Sequence, residues 1–257
     1  MFVGALALWW RVSLVFAAGI AAGVVNGIAG GGTFITFPTL LALGVPALKA
    51  NLSTTVGVVP SYLGSLRVFR THLAAHRRLI VTLLPSCILG AAAGATLLLV
   101  GSAATFRLIV PWLVGAGTLL FAASPFISRR LEHIDREHAS RRLAMVIGVF
   151  FVAIYGGYFG AGLGILLLAV MAVALPIDIK EIQGLRNVIS LVINVTAALI
   201  FVVHGHLATS DVLALLVGTL IGGYLGALLI QRLSPSIIRA LVIVIGVITT
   251  VKLAVGA

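Results

Sequence analysis

The chain has 257 residues, of which 61% are hydrophobic and only 9% are charged, and its formal net charge is +11. Soluble domains average about 45–50% apolar and about 25% charged residues, so this composition excludes a soluble globular protein. Apolar runs of membrane-spanning length dominate instead, which predicts a polytopic membrane protein. Trp9, Trp10 and Arg11 precede the first apolar run, which we interpret as a membrane helix and not as a signal peptide.

Ten apolar elements follow one another along the chain. They cover residues 12–29, 32–43, 50–66, 79–100, 105–127, 143–158, 161–175, 182–203, 211–230 and 237–256. A helix needs ~20 residues to cross the hydrocarbon core, and segments 32–43 and 161–175 are shorter than that. We expect each of these two to be a half-helix or re-entrant piece paired with the element before it. This leaves about eight membrane elements.

Glycine clusters interrupt the apolar pattern at 27–33 and again, about 130 residues later, at 156–162. Such breaks free backbone N–H and C=O groups at membrane depth, which is tolerated only where protein or a water-filled cavity satisfies them. Paired interrupted segments at corresponding positions of two halves point to the binding site of a transporter.

Other matches between the two halves support an internal repeat. The segments 90–94 and 102–107 recur 132 residues later as 222–226 and 234–239, as expected after a tandem duplication with small insertions. The glycine pairs in 90–94 and 222–226 could pack helices within a chain or between chains, which leaves a homo-oligomer open. The predicted divisions are a first membrane repeat at 1–127, a basic linker at 128–142 and a second membrane repeat at 143–257.

Basic residues predict the orientation of the chain. They crowd three loops, as Arg67, Arg70, Arg77 and Arg78, then Arg129, Arg130, Arg136, Arg141 and Arg142, then Arg232 and Arg239. The positive-inside rule assigns these loops to the cytoplasm and both termini to the outside. The first half then starts outside and the second starts inside, which is an inverted-topology repeat. Because loop placement and lipid headgroups account for most of the arginines, no nucleic-acid partner is expected.

Arg186 does not fit the loop explanation, since it lies inside the apolar element 182–203. Polar residues recur around it at intervals of three and four and share one helix face, namely Gln183, Asn187, Ser190 and Asn194. An ionisable residue inside a membrane helix normally faces a cavity or a partner. Arg186 therefore either contacts substrate, or snorkels to the interface, or pairs with Glu181 or Asp178.

The corresponding element of the first half carries a milder set of polar residues, namely Asn51, Ser53, Thr54 and Thr55. An offset of 134 residues pairs Ser53 with Asn187. Asn26, just before the first glycine break, could cap the interrupted helix or contact substrate.

These features together predict an anion site. Broken helices present free N–H groups and positive dipole ends, which suit negative charge. The acids of the chain fall in loops or at helix ends, Asp211 among them, so coupling through a carboxylate within the membrane is not expected. No cofactor or metal is expected either. The candidate substrate-binding residues are Asn26, Gly30, Gly31, Gly32, Thr33, Asn51, Ser53, Thr54, Gly160, Gly162, Gln183, Arg186, Asn187, Ser190 and Asn194.

The segments 30–32, 44–46 and 50–54 resemble the first-half signature of the TauE/SafE sulfite-exporter family, and 160–162, 175–176 and 184–187 repeat it. The resemblance implies a multi-pass permease of the bacterial inner membrane that moves sulfite, sulfonates or related small organic anions. It implies site roles for Gly30, Gly31, Gly32, Ser53, Thr54, Gly160, Gly162 and Asn187. Arg186-Asn187 departs from the family pattern, which has a stretch of small residues at this position.

An enzyme and a passive channel are the two other classes of protein to consider. The chain contains no Gly-x-Ser-x-Gly, no His-Glu-x-x-His and no aspartate in the middle of an apolar segment, so an enzyme is not expected. A passive anion channel stays the alternative, because broken helices and an arginine also suit a filter. The sequence thus predicts an all-α, inverted-repeat secondary transporter of small anions that works by alternating access.

Overall fold

The computed structural model describes residues 2–28, 30–132, 141–175, 177, 179–229 and 235–255, and within these ranges every regular element is a helix. The helices are α1 (Phe2–Ile28), α2 (Thr33–Ala42), α3 (Ala47–Ala75), α4 (Arg77–Val100), α5 (Ala103–Glu132), α6 (Arg141–Tyr158), α7 (Leu163–Ala174), α8 (Ile179–His204), α9 (Thr209–Leu229) and α10 (Pro235–Val255). All ten predicted elements are confirmed. Most helices begin a few residues before the predicted apolar run, and α2 and α7 are slightly shorter than theirs. Residues 133–140 of the predicted linker lie outside the described ranges.

Six of the described helices are long and apolar enough to cross a membrane. Their outward faces expose large apolar side chains, such as Val100, Trp112 and Val203. Soluble monomers rarely expose contiguous apolar patches of more than a few hundred Å², so these faces contact lipid. The prediction of an all-α polytopic membrane protein is confirmed.

The short helices α2 and α7 turn back towards the end at which the preceding helix begins. Arg11, near the start of α1, donates from Nη1 to the carbonyl of Leu43, just after α2, at 3.3 Å. Ala174, the last residue of α7, lines the same surface cavity as Ala144, near the start of α6. With 10 and 12 residues, α2 and α7 are only about 15 and 18 Å long. Both hairpins therefore re-enter.

Polar contacts show which helix termini lie together at each end of the molecule. At one end Arg11 of α1 pairs with Asp211 of α9, with Nη2 and Oδ2 2.6 Å apart. At the other end His76, before α4, meets Glu181 of α8 at 2.7 Å. Arg142, at the start of α6, donates to the Thr82 hydroxyl near the start of α4 at 3.2 Å. The first helices of the two halves, α1 and α6, thus begin at opposite ends.

The helices form two bundles, each of which combines elements from both halves. The first bundle is α1, α2, α3, α9 and α10, and the second bundle is α4 to α8. Helix contacts keep the same pattern when the two halves are exchanged: α1 contacts α9 as α6 contacts α4, and α2 contacts α10 as α7 contacts α5. The two bundles meet mainly where α3 contacts α8 and where α5 contacts α10. This exchange pattern is the one that a duplicated chain would give.

The glycine pairs hold each bundle together within the chain. A Cβ on Gly94 of α4 would lie 2.0 Å from the carbonyl oxygen of Ile154 in α6, and a Cβ on Gly222 of α9 would lie 2.0 Å from that of Ile20 in α1. Both distances are far below any real contact, so only glycine permits these helix crossings. The two glycine pairs therefore pack helices of one chain.

Candidate functional site

The two breaks end their first helix in the same way. Gly30 follows α1 with φ 75°, and Gly160 follows α6 with φ 77°. The Gly30 N–H donates to the Val25 carbonyl at 3.1 Å, and the Gly160 N–H donates to the Tyr155 carbonyl at 3.2 Å. A left-handed residue with a bond back over five residues is the Schellman ending of a helix, which glycine adopts without strain. Each break therefore has a fixed backbone.

Asn26 caps the re-entrant helix of the first break. Its Oδ1 accepts a hydrogen bond from the Gly32 N–H at 2.7 Å, and its Nδ2 donates to the Ser61 hydroxyl of α3 at 2.9 Å. Of the two roles that the sequence left open, this geometry is that of a cap. Gly31 and Gly32 are buried beneath it, and Thr33, the first residue of α2, is half-buried.

The N-cap residues of α2 and α7, Gly32 and Gly162, provide no side-chain cap, and no described side chain caps the second break as Asn26 caps the first. Gly162 has φ 78°, and its carbonyl accepts from the Ile165 and Leu166 amides at 3.0 and 3.3 Å. Within the described residues, the N–H groups of Gly162 and Gly164 donate to no backbone carbonyl. The start of α7 thus presents amide donors without a backbone acceptor, whereas at the start of α2 the Gly32 amide donates to Asn26.

Arg186 of α8 lies between the two breaks and is only 4% exposed. A Cβ on Gly30 would lie 3.6 Å from Cζ and Nη1 of Arg186, and 3.0 Å from Cα of Gly164. The guanidinium group, the end of α1 and the start of α7 therefore meet at one point. Nη2 of Arg186 also donates to Oδ1 of Asn187 at 3.2 Å. The guanidinium is therefore buried against the breaks, and Asp178, one of its two predicted partners, lies outside the described residues.

The polar stripe of α8 continues inward to α3. Gln183 is half-buried and Ser190 is buried, while Asn194 donates from Nδ2 to the Ser190 carbonyl at 2.9 Å. The same Nδ2 donates to the hydroxyl of Tyr62 at 3.3 Å, across 132 residues of chain. Sequence reasoning missed Tyr62, whose contact with Asn194 joins two helices far apart in the sequence.

The Tyr62–Asn194 contact joins α3 to α8 but does not decide the register between the halves. The sequence-based offset of 134 residues, which pairs Ser53 with Asn187, stays a prediction. Ser53 accepts with its hydroxyl from the Ala208 N–H before α9 at 2.9 Å. It therefore holds two helices of the first bundle together.

Three buried polar atoms of the site make no hydrogen bond within the described part of the chain: Oδ1 of Asn51, Oγ1 of Thr54 and Nδ2 of Asn187. Asn51 donates from its Nδ2 to the carbonyl of Tyr158, the last residue of α6, at 2.9 Å. Buried polar atoms are satisfied in the great majority of cases, so each exception calls for an explanation. Here the exceptions cluster on the two facing helices α3 and α8.

Aromatic rings fix the breaks in position. Phe34 in the first turn of α2 makes an edge-on contact with Phe121 of α5, with centroids 5.7 Å apart. Phe37 makes a similar contact with Phe159 of the second break at 5.5 Å. These rings are almost fully buried. Since rigid packing holds the re-entrant helices, the polar groups at their ends are preorganised.

Asp211 lies at a helix end, as the sequence predicts, and its carboxylate is buried. It lies in the first turn of α9 and is only 1% exposed. Both of its oxygens accept from Arg11, at 3.0 and 2.6 Å. A helix end at the membrane boundary becomes buried when two helices cross there, which hydropathy does not reveal. This pair fastens α9 to α1.

The helices and breaks define a class of protein. Paired broken helices in two related halves, with polar groups between them, are the architecture of a membrane transporter. The chain belongs to the family described as sulfite exporter TauE/SafE, whose family model matches residues 15–253. The resemblance noted from the glycine motifs is thereby confirmed.

Three relatives are named as probable membrane transporter proteins. One from Haemophilus influenzae is 24% identical over 245 residues, covering 94% of each chain. YfcA of Escherichia coli K12 is 23% identical over 250 residues, covering 94% of this chain and 89% of its own. ORF9 of a Sinorhizobium species is 24% identical over 247 residues, covering 94% and 92%.

Proposed function

We propose that this protein is a secondary transporter of small sulfur-containing or organic anions, such as sulfite or sulfonates. The observation that carries the proposal is the buried guanidinium of Arg186 at the junction of Gly30 and Gly164. An arginine offers several donors in a fixed fork that matches an oxyanion. Burial in the membrane strengthens that attraction, because little water is present to screen it.

The other donors of the site suit the same ligand. Nδ2 of Asn187 is a buried donor without a partner among the described residues, and Arg186 already holds the Oδ1 of the same amide. The amides of Gly162 and Gly164 lie at the N-terminus of α7, where the helix dipole favours negative charge. An anion bound there would take donors from both bundles. Gln183, Ser190 and Asn194 would continue the polar path along α8.

Alternating access follows from the position of this site between the two bundles. Arg186 and Gly164 belong to the second bundle, and Gly30 belongs to the first. A rocking motion at the α3–α8 and α5–α10 contacts would open one end of the site while it closes the other. The opposite starting ends of α1 and α6 support an inverted repeat, which gives two such states related by exchange of the halves.

The orientation in the membrane is part of the proposal. Arg77, Arg78 and Arg142 are exposed at the end where His76 meets Glu181. The positive-inside rule makes this end cytoplasmic and puts both termini outside. The membrane would be the bacterial inner membrane.

Flux into proteoliposomes tests this function. Sulfite and small sulfonates should enter saturably with the wild type, and Arg186→Ala should abolish that flux while the protein stays folded, as judged by size-exclusion chromatography. Arg186→Lys keeps the charge without the planar fork and should retain part of the flux. Unchanged flux in Arg186→Ala would refute the site.

Counterflow separates the transporter from a channel. Unlabelled anion inside the vesicles should accelerate the entry of labelled anion, because a carrier returns faster when it is loaded. Flux that rises linearly with concentration, without acceleration, would identify a passive anion channel.

A further inference from the structure

We propose that the second break holds a binding site for a monovalent alkali cation, with Na⁺ as the ion to test first. The site would consist of Oδ1 of Asn51, Oγ1 of Thr54 and the carbonyl end of α6. Binding of the cation does not depend on the proposed anion transport. Only its use as a coupling ion rests on that function.

The first observation is a pair of buried oxygens. Asn51 and Thr54 are fully buried on α3, and their spacing of three residues puts them on one helix face. Neither Oδ1 of Asn51 nor Oγ1 of Thr54 has a hydrogen-bond partner within the described ranges. The amide of Asn51 cannot be reversed, because its Nδ2 donates to the carbonyl of Tyr158 at 2.9 Å. Its free atom is therefore an acceptor, which suits a cation.

The second observation comes from a comparison of the two breaks. In both breaks a left-handed glycine, Gly30 or Gly160, follows the first helix. The guanidinium of Arg186 lies against Gly30, just beyond α1. At Gly160, apart from its chain neighbours, the Gly156 carbonyl oxygen is the only described atom within 4 Å of the Cβ position. The first break thus has a guanidinium against its left-handed glycine, and the second break has a backbone carbonyl there.

The C-terminal end of α6 favours a positive charge, in contrast to the N-terminal start of α7 in the same break. The C-terminus of a helix carries a partial negative charge of roughly half an electron, and the end of α6 contributes it together with the carbonyl of Tyr158. In transporters, unwound carbonyls and half-helix C-termini coordinate coupling ions. The ligands named here are an amide, a hydroxyl and a carbonyl. Without a carboxylate they suit a monovalent cation better than a divalent one.

Thermal unfolding in detergent, without any anion substrate, tests the site directly. At constant chloride, replacing choline with Na⁺ should raise the Tm of the wild type by about 2–4 °C, because an ion that binds the folded state stabilises it. Thr54→Val, which removes the hydroxyl at nearly constant volume, should lose this rise. Thr54→Ser should keep it.

Thr55→Val is the matched control. Thr55 is the next residue of α3 and is also buried, but its hydroxyl donates to the Asn51 carbonyl at 3.0 Å within the helix. This variant should keep the Na⁺ response. Equal Tm values for the wild type in Na⁺, K⁺ and choline, or a Na⁺ response that survives Thr54→Val, would overturn the proposal.

The two proposals fail in different ways. Anion flux that needs Arg186, from a protein without a Na⁺ response, would refute the cation site and leave the transporter. A Na⁺ response lost in Thr54→Val, from a protein that moves no tested anion, would support the cation site and refute the proposed substrate class.

Discussion

The first and second breaks share a backbone plan and differ in the side chains that complete them. Gly30 and Gly160 end α1 and α6 with nearly equal φ angles and with the same backward hydrogen bond. The first break then meets the guanidinium of Arg186, whereas Asn51 of α3 contacts the second break. The comparison teaches that two breaks can share a backbone geometry while different side chains, Arg186 at the first break and Asn51 at the second, complete them.

The breaks also differ in how their re-entrant helices are held. Asn26 occupies an amide of the first break, while Tyr155 holds the second by donating from its hydroxyl to the Ala161 carbonyl. Amide donors at the start of α7 consequently stay open to a ligand. Substitutions at these points can separate the role of the backbone from that of the side chains.

The largest effect is expected for Gly30→Ala. An alanine there would take a left-handed φ and bring its Cβ to 3.0 Å from Cα of Gly164, which together cost about 2–5 kcal/mol. Gly44→Ala is the control, since Gly44 has φ 79° but no atom within 4 Å of its Cβ position in the described chain. It should lose only about 1–2 kcal/mol. Unfolding in detergent measures both, and equal losses would show that the junction is not tightly packed.

A smaller effect is expected for Asp211→Asn, which compares the two ends of the molecule. The change weakens the pairing with Arg11, whose side chain is 34% exposed, at a carboxylate that is only 1% exposed, and should cost about 1–3 kcal/mol. Glu181→Gln at the opposite end should cost no more than about 1 kcal/mol, because the side chains of His76 and Glu181 are 21% and 33% exposed. Chemical denaturation of both variants checks the order, and a reversed order would contradict it.

An effect smaller than that of Asp211→Asn is expected for Asn26→Ala. It removes the acceptor for the Gly32 amide and the donor to Ser61, which should cost about 1–2 kcal/mol. Because Asn26 acts here as a cap and not as a ligand of the anion, the variant should retain the Arg186-dependent flux. Loss of flux at unchanged stability would instead assign Asn26 to the substrate.

Hydropathy predicted the ten elements because each apolar run is bounded by glycine, proline or charged residues, and the short runs 32–43 and 161–175 indicated re-entrant helices before any coordinates. The polar stripe around Arg186 was also readable, since its period is that of a helix. Tyr62 and the pairing of Asp211 with Arg11 were missed because these contacts arise only when distant helices cross. The register between α3 and α8 stays a prediction, since the repeats match at offsets of 130 to 134.

The separation of an anion site at Arg186 from a cation site at Asn51 and Thr54 can be tested most directly by measuring ligand-induced changes in Tm for Arg186→Ala and Thr54→Val, with sulfite and Na⁺ added separately. Arg186→Ala should lose the stabilisation by sulfite and keep the stabilisation by Na⁺, while Thr54→Val should do the reverse. If either variant lost both responses or kept both, the anion and the cation would not have separate sites.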